Sequence, residues 1–160
     1  MLKKILVPAD GSNLSMESAQ AAVELARDVG AEVVGFIATP IYKMRVIEDA
    51  AFAPGTLSEA DFNKAVKRSS KKYLDEIRKM AEVHGVPFTG QSVASEKTAQ
   101  AIVDAADQYA CDLIFMGSHG RTCMAQIFLG GVTTKVLSLS SVPVMVFRTT
   151  KKAVSKKRAR

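Results

Sequence analysis

Two clusters of small and hydroxyl-bearing residues hold most of the chemistry this chain can offer. The first is Gly117-Ser118-His119-Gly120-Arg121-Thr122, and the second is Gly130-Gly131-Val132-Thr133-Thr134. Glycines let a backbone turn sharply and bring its N–H groups close to an anion, and a helix N-terminus adds partial positive charge. Phosphate binding is the chemistry such loops perform, with Arg121, Ser118, Thr133 and Thr134 as further polar contacts. The plainer reading is that the glycines only shape tight turns. No Gly-Lys-Ser/Thr triplet is present, so this is not a Walker loop, and the spacing is not GxGxxG. Spelled out, it is Gly117-x2-Gly120-x9-Gly130.

Other polar residues carry less. Asp10, in the turn Asp10-Gly11-Ser12, either faces a ligand or bonds its own turn, and Ser12 is a candidate N-cap. His119 reads as a loop histidine, because no acid and nucleophile with triad spacing accompany it. Cys111 and Cys123 form neither a CxxC nor another metal-ligand pattern, although Cys123 falls in the glycine loop. No base is poised for a water and no metal cluster stands out, so no catalytic residue is assigned.

The elements that position these loops follow from the apolar pattern. Residues 3–8 read as a strand, and residues 13–29 as a helix with Leu14, Ser18, Ala21, Ala22, Leu25 and Val29 on one face. Gly30 closes that helix. A second strand covers 32–38, and residues 41–57 form a long irregular connection containing Pro54-Gly55. A long helix over 58–84 places Phe62, Val66, Ser69, Tyr73, Ile77 and Met80 on one face, and Gly85 stops it. A weaker strand at 86–94 precedes a helix at 97–109 that buries Ile102, Ala105, Ala106 and Tyr109. The run 111–116 is unbroken and apolar, which suits a parallel strand covered on both faces. A helix at 131–139 leads to the last strand, Val142-Pro143-Val144-Met145-Val146-Phe147, where Pro143 favours a strand end or sheet edge. Strict alternation of strand and helix dictates an α/β fold: one doubly wound parallel sheet with helices on both faces. Ligands bind such sheets at the carboxyl ends of the strands where the winding reverses, and both small-residue loops leave carboxyl ends.

A length of 160 residues supports one core, whereas two domains would each be marginal. No apolar run is long enough to span a bilayer, and the start is too short for a signal sequence, so a cytoplasmic protein with reduced thiols is the expectation. Net charge is +6, but residues 151–160 alone hold six cations and no acid, which leaves sixteen charges of each sign elsewhere. A neutral body argues against nucleic-acid binding, and the basic tail reads as disordered.

On four segments the chain resembles the nucleotide-binding branch of the universal stress protein family. These are Ile5-Leu6-Val7-Pro8-Ala9-Asp10-Gly11-Ser12, the long central helix, the run from Asp112 through Met116 to Thr122, and Val142-Pro143-Val144-Met145-Val146. The resemblance covers residues 2–148 and implies a domain over 1–148 with a tail at 149–160. It implies a five-stranded sheet in the order 3-2-1-4-5, of the adenine nucleotide alpha hydrolase kind. It also implies an adenine nucleotide ligand (ATP, ADP or AMP, any Mg2+ arriving with the phosphates), homodimers paired through Val142 to Phe147, and a cytoplasmic sensor or regulator with at most slow hydrolysis or autophosphorylation. The alternative within the family is a dimeric interaction module independent of nucleotide. The family motif G-x2-G-x9-G-(S/T) maps onto Gly117, Gly120 and Gly130, with Gly131 at the hydroxyl position, which removes one donor and keeps the backbone N–H. The implied nucleotide-binding residues are Pro8, Ala9, Asp10, Ala38, Met116, Gly117, Ser118, His119, Gly120, Arg121, Gly130, Gly131, Val132 and Thr133. Asp10 is expected to face the nucleoside, and the backbone near Ala38 to meet the adenine. The family's frequent Gly-Pro turn before the third helix is missing at Glu96-Lys97-Thr98.

Overall fold

Ile5, Leu6 and Val7 are all 0% exposed, yet successive side chains of a strand point to opposite faces. The strand that holds them must therefore be covered on both sides. A computed structural model describes residues 2–42, 58–120 and 129–149. The elements run β1 (Lys4–Pro8), α1 (Asn13–Val29), β2 (Glu32–Thr39), α2 (Glu59–Val83), β3 (Phe88–Ala94), α3 (Thr98–Gln108), β4 (Leu113–Gly117), α4 (Gly131–Leu139) and β5 (Val144–Phe147). All strand pairs are parallel, and the order is β3-β2-β1-β4-β5, as expected. The irregular connection expected at 41–57 lies almost wholly outside the described residues, as does the basic tail from 150 onward.

The period of two along the strands divides the interior into two cores. Ile5, Val7, Val33, Leu113 and Phe115 cluster with Ala19, Val23 and Ala26 of α1 and with Ile77 and Ala81 of α2. On the other face Leu6, Val34, Phe36, Ile114 and Met116 cluster with Ile102, Val103 and Ala106 of α3 and Val136 of α4. Local signals end the helices where expected. Ser12 and Ser58 accept the N–H groups of Ser15 at 3.2 Å and Asp61 at 3.1 Å, and Gly30 takes the left-handed conformation at φ 69°.

Three strands begin later than their apolar runs, for a shared reason. The amide of Cys111 is used to close α3, donating to Ala106 O at 2.8 Å, so β4 starts at Leu113. Val86 likewise donates to Ala81 O at 2.9 Å, and Pro87 has no N–H, so β3 starts at Phe88. Ser140 bonds both the N–H and the carbonyl of Val142, and Pro143 follows, so the strand expected at 142–147 is β5 over Val144–Phe147 at the sheet edge.

The expected faces of α1 and α2 are buried or half-buried except at one position in each. In α1, Leu14, Ser18 and Ala22 are buried, but Val29 is 40% exposed and the face is completed by Ala19, Val23 and Ala26. Ala21 and Leu25 are half-buried and pack against the same core. In α2 Ser69 is exposed and Ser70 takes the buried place, its hydroxyl donating to Val66 O at 2.9 Å. Of the α3 residues expected inside, Ile102, Ala105 and Ala106 are buried and Tyr109, at the C-cap, is half-buried.

Candidate functional site

β1 and β4 are adjacent, but the chain leaves them toward opposite faces: α1 packs with one core and α4 with the other. Their two exit loops therefore diverge, and a crevice opens above the carboxyl ends. A cavity of about 420 Å3 occupies it. Pro8, Ala9 and Asp10 form one wall, Met116 and Gly117 the floor, and His119, Gly120 and the first turn of α4 the other wall. Ala38 lines the far end.

Of the implied nucleotide-binding residues that the structure describes, all but Ser118 line this cavity. Ser118 is 2% exposed and serves the loop itself: its N–H donates to Phe147 O and its carbonyl accepts the N–H of Gly130, both at 2.8 Å. Its Oγ lies 3.1 Å from His119 Nδ1. Arg121 lies outside the described residues, with Thr122 and Cys123. Four lining residues escaped sequence reasoning, Ser15, Phe36, Ile102 and Leu129, while Thr98 belongs to the turn before the third helix already singled out. A signal existed for two of them. Phe36 lies two positions before Ala38 on the same face of β2, and Ile102 is on the apolar face of α3.

The α4 end of the cavity is rich in donors. Gly130 is the N-cap and supplies no side-chain acceptor, in contrast to Ser12 and Ser58 on α1 and α2. The amides of Gly131, Val132 and Thr133 cannot be paired within the helix, and its dipole adds positive character there. The hydroxyls expected to help are already engaged. Thr133 Oγ1 donates to Gly117 O and Thr134 Oγ1 to Gly130 O, both at 3.1 Å. An anion at this wall would meet backbone amides.

The motif glycines differ in what they do. A Cβ at Gly130 would lie 3.1 Å from His119 Cα, so the two loop segments touch backbone to backbone. At Gly117 the nearest atom would be Leu14 Cγ at 3.4 Å, an ordinary contact, and at Gly131 nothing lies within 4 Å. A Cβ at Gly120 would run into the carboxylate of Asp10. Asp10 in turn accepts the Ser12 N–H on Oδ1 at 2.9 Å, so it bonds its own turn while lining the cavity.

Among the described residues no group of three or more His, Cys, Asp or Glu side chains gathers to hold a metal ion. Cys111 is buried at the opposite end of β4, where burial pushes its thiol up to about 11 and keeps it protonated. No helix of the described residues is long and apolar enough to cross a membrane.

Comparison with known proteins identifies the family and the fold. The model of the universal stress protein family matches residues 1–148. Universal stress protein MJ0531 of Methanocaldococcus jannaschii is 32% identical over 154 residues, spanning 95% of this chain and 85% of that protein. The solved structure of MJ0577 superposes with a TM-score of 0.77 at 26% identity, covering 94% of this chain and 98% of the other. A universal stress protein solved in complex with cAMP has the same fold, with a TM-score of 0.68 at 22% identity over 93% of this chain and 99% of that one.

Proposed function

The chain belongs to the universal stress protein family, and from that premise we propose that it binds an adenine nucleotide in the crevice between the β1 and β4 loops, as a cytoplasmic stress sensor or regulator. One observation carries this reading: a cavity of nucleotide size that joins an apolar end to the unpaired amides of a helix N-terminus. Phe36, Ala38, Ile102 and Met116 suit the flat apolar faces of a purine. Gly120, Gly130, Gly131, Val132 and Thr133 take the phosphates, with Arg121, next in the chain after Gly120, as the cationic contact. The bound cAMP of the solved relative supports the adenine class. ATP, ADP and AMP are the candidates, and Mg2+ arrives with the phosphates rather than in a protein cage. We assign no catalytic residue, and any hydrolysis or autophosphorylation is slow, as the family resemblance implies.

The same reading makes the protein a homodimer joined along β5. That strand is a sheet edge; Met145 on it is 45% exposed, and Leu137 and Leu139 of α4 are 42% and 50% exposed. Pairing would satisfy the edge and cover the apolar surface. The balanced charge before residue 151 supports no nucleic-acid partner. Native mass spectrometry of the purified chain tests both points at once. A dimer carrying one adenine nucleotide per protomer is expected; a protein that neither retains nor rebinds nucleotide is instead the family's nucleotide-independent module.

A further inference from the structure

Gly120 is a glycine whose own backbone does not require one. Its φ is outside the left-handed region, unlike those of Gly11, Gly30 and Gly85. Among the described residues, the side chain of Asp10 stands in the way of one there. Among the described residues, and apart from its neighbours in the chain, the nearest atoms to a Cβ at position 120 are Oδ2 and Cγ of Asp10, and Oδ2 is far inside contact distance. The Asp10 carboxylate is not loose, because its Oδ1 holds the Ser12 N–H at 2.9 Å. The backbone of Asp10 is held as well, its N–H donating to Ser15 Oγ at 3.4 Å. Asp10 follows β1 and Gly120 follows β4, so this contact spans the mouth of the crevice between two adjacent strands.

We propose that Asp10 is a positioning residue: its carboxylate, anchored by the Ser12 amide, is the spacer against which the backbone at Gly120 rests. Position 120 is then a glycine in order to admit a side chain of this same protein, and the space for a ligand is a consequence. The inference rests on the nucleotide reading, since the distance the spacer sets is the width of the proposed phosphate end. It adds to that reading a target for Asp10 within the protein. Any side chain at 120 must displace the carboxylate or shift the backbone at 120 away from it.

A double-mutant cycle on the full chain tests this. Gly120→Ala is made alone and in Asp10→Ala and Asp10→Asn backgrounds, and each protein is measured for melting temperature and for AMP and ATP affinity by calorimetry. Alone, Gly120→Ala should lower the melting temperature and weaken nucleotide binding by roughly tenfold, in the range of coupling between residues in contact. The same penalty should persist in the Asp10→Asn background, where the side chain fills the same volume, and nearly vanish in the Asp10→Ala background. An equal penalty in all three backgrounds would show that something other than Asp10 excludes a side chain at 120, and would overturn the proposal. Coupling in melting temperature without coupling in affinity would leave Asp10 a structural contact, and overturns the positioning role. If the unaltered protein binds neither AMP nor ATP, the functional reading itself fails and the positioning role falls with it, while the melting cycle still reports whether Asp10 and Gly120 exclude one another.

Discussion

Thr133 donates its buried hydroxyl to the carbonyl oxygen of Gly117 at 3.1 Å, tying the first turn of α4 to the end of β4. The bond fixes where the unpaired amides of that turn point. Thr133→Val keeps the shape and leaves the Gly117 carbonyl without this donor. The expected cost is about 1–3 kcal/mol of stability, read from urea unfolding, together with weaker nucleotide binding. A variant as stable as the parent would show that the bond contributes nothing.

Gly131 stands where the family motif carries a hydroxyl, and a Cβ there meets nothing within 4 Å among the described residues. Gly131→Ser therefore fits without rearrangement and adds a donor at the helix N-terminus. ATP should bind more tightly by about 0.5–1.5 kcal/mol, with adenosine affinity unchanged. Calorimetry with both ligands checks this, and equal gains for the two would place the new hydroxyl away from the phosphates.

Gly11 and Gly30 share a left-handed backbone, at φ 77° and 69°, yet differ in surroundings. A Cβ at Gly11 would overlap the ring of Tyr73, whereas nothing lies within 4 Å of one at Gly30. Gly30→Ala should cost only the backbone term, about 1–2 kcal/mol. Gly11→Ala adds the displacement of an aromatic ring, for a total of roughly 2–4 kcal/mol. Denaturant midpoints of the two variants compare them directly, and equal midpoint shifts would remove Tyr73 from the account.

Asp112 accepts the backbone N–H groups of Lys3 at 2.8 Å and Lys4 at 2.9 Å, clamping the start of β1 to β4. Those bonds, the one from Lys3 first, hold its carboxyl below the usual carboxylate range. A depressed folded-state pKa means the stabilisation is present above the unfolded value and is lost as pH falls through the folded one. The stability gap between the parent and Asp112→Ala should be widest near neutral pH and shrink below about pH 4. A gap that does not change with pH would rule this linkage out.

Met145 is the exposed side chain of β5, while Val144 and Val146 on either side are half-buried and Val144 packs against the core. Met145→Asp thus charges the proposed interface with less disturbance to the interior than a change at Val144. Sedimentation should show a dimer for the parent and a monomer for the variant. A parent that is monomeric at high micromolar concentration would exclude pairing along this strand.

The parts of this protein legible in its sequence are those decided within a few residues. The alternation of β1 through β5 with their helices, the Ser12 cap and the Gly30 terminus all depend on neighbours along the chain. So does the placement of both glycine-bearing segments after strand ends. The strand order came from the family resemblance, because periodicity states which residues are buried but not which strands pair. Apolar pattern alone places strand starts too early at Cys111, Val86 and Val142, since their backbone groups are taken by the preceding helix or a nearby serine.

Which groups meet across the crevice depends on how whole strands are placed. Ser118 and Thr133 look like ligand contacts by their hydroxyls, yet the fold sets the first against His119 Nδ1 and the second on the Gly117 carbonyl. Asp10 and Gly120 lie at opposite ends of the domain in sequence and come together only because β1 pairs with β4. Residue types and periods specify the elements locally. Contacts between loops depend on the relative placement of whole strands, which no local pattern records.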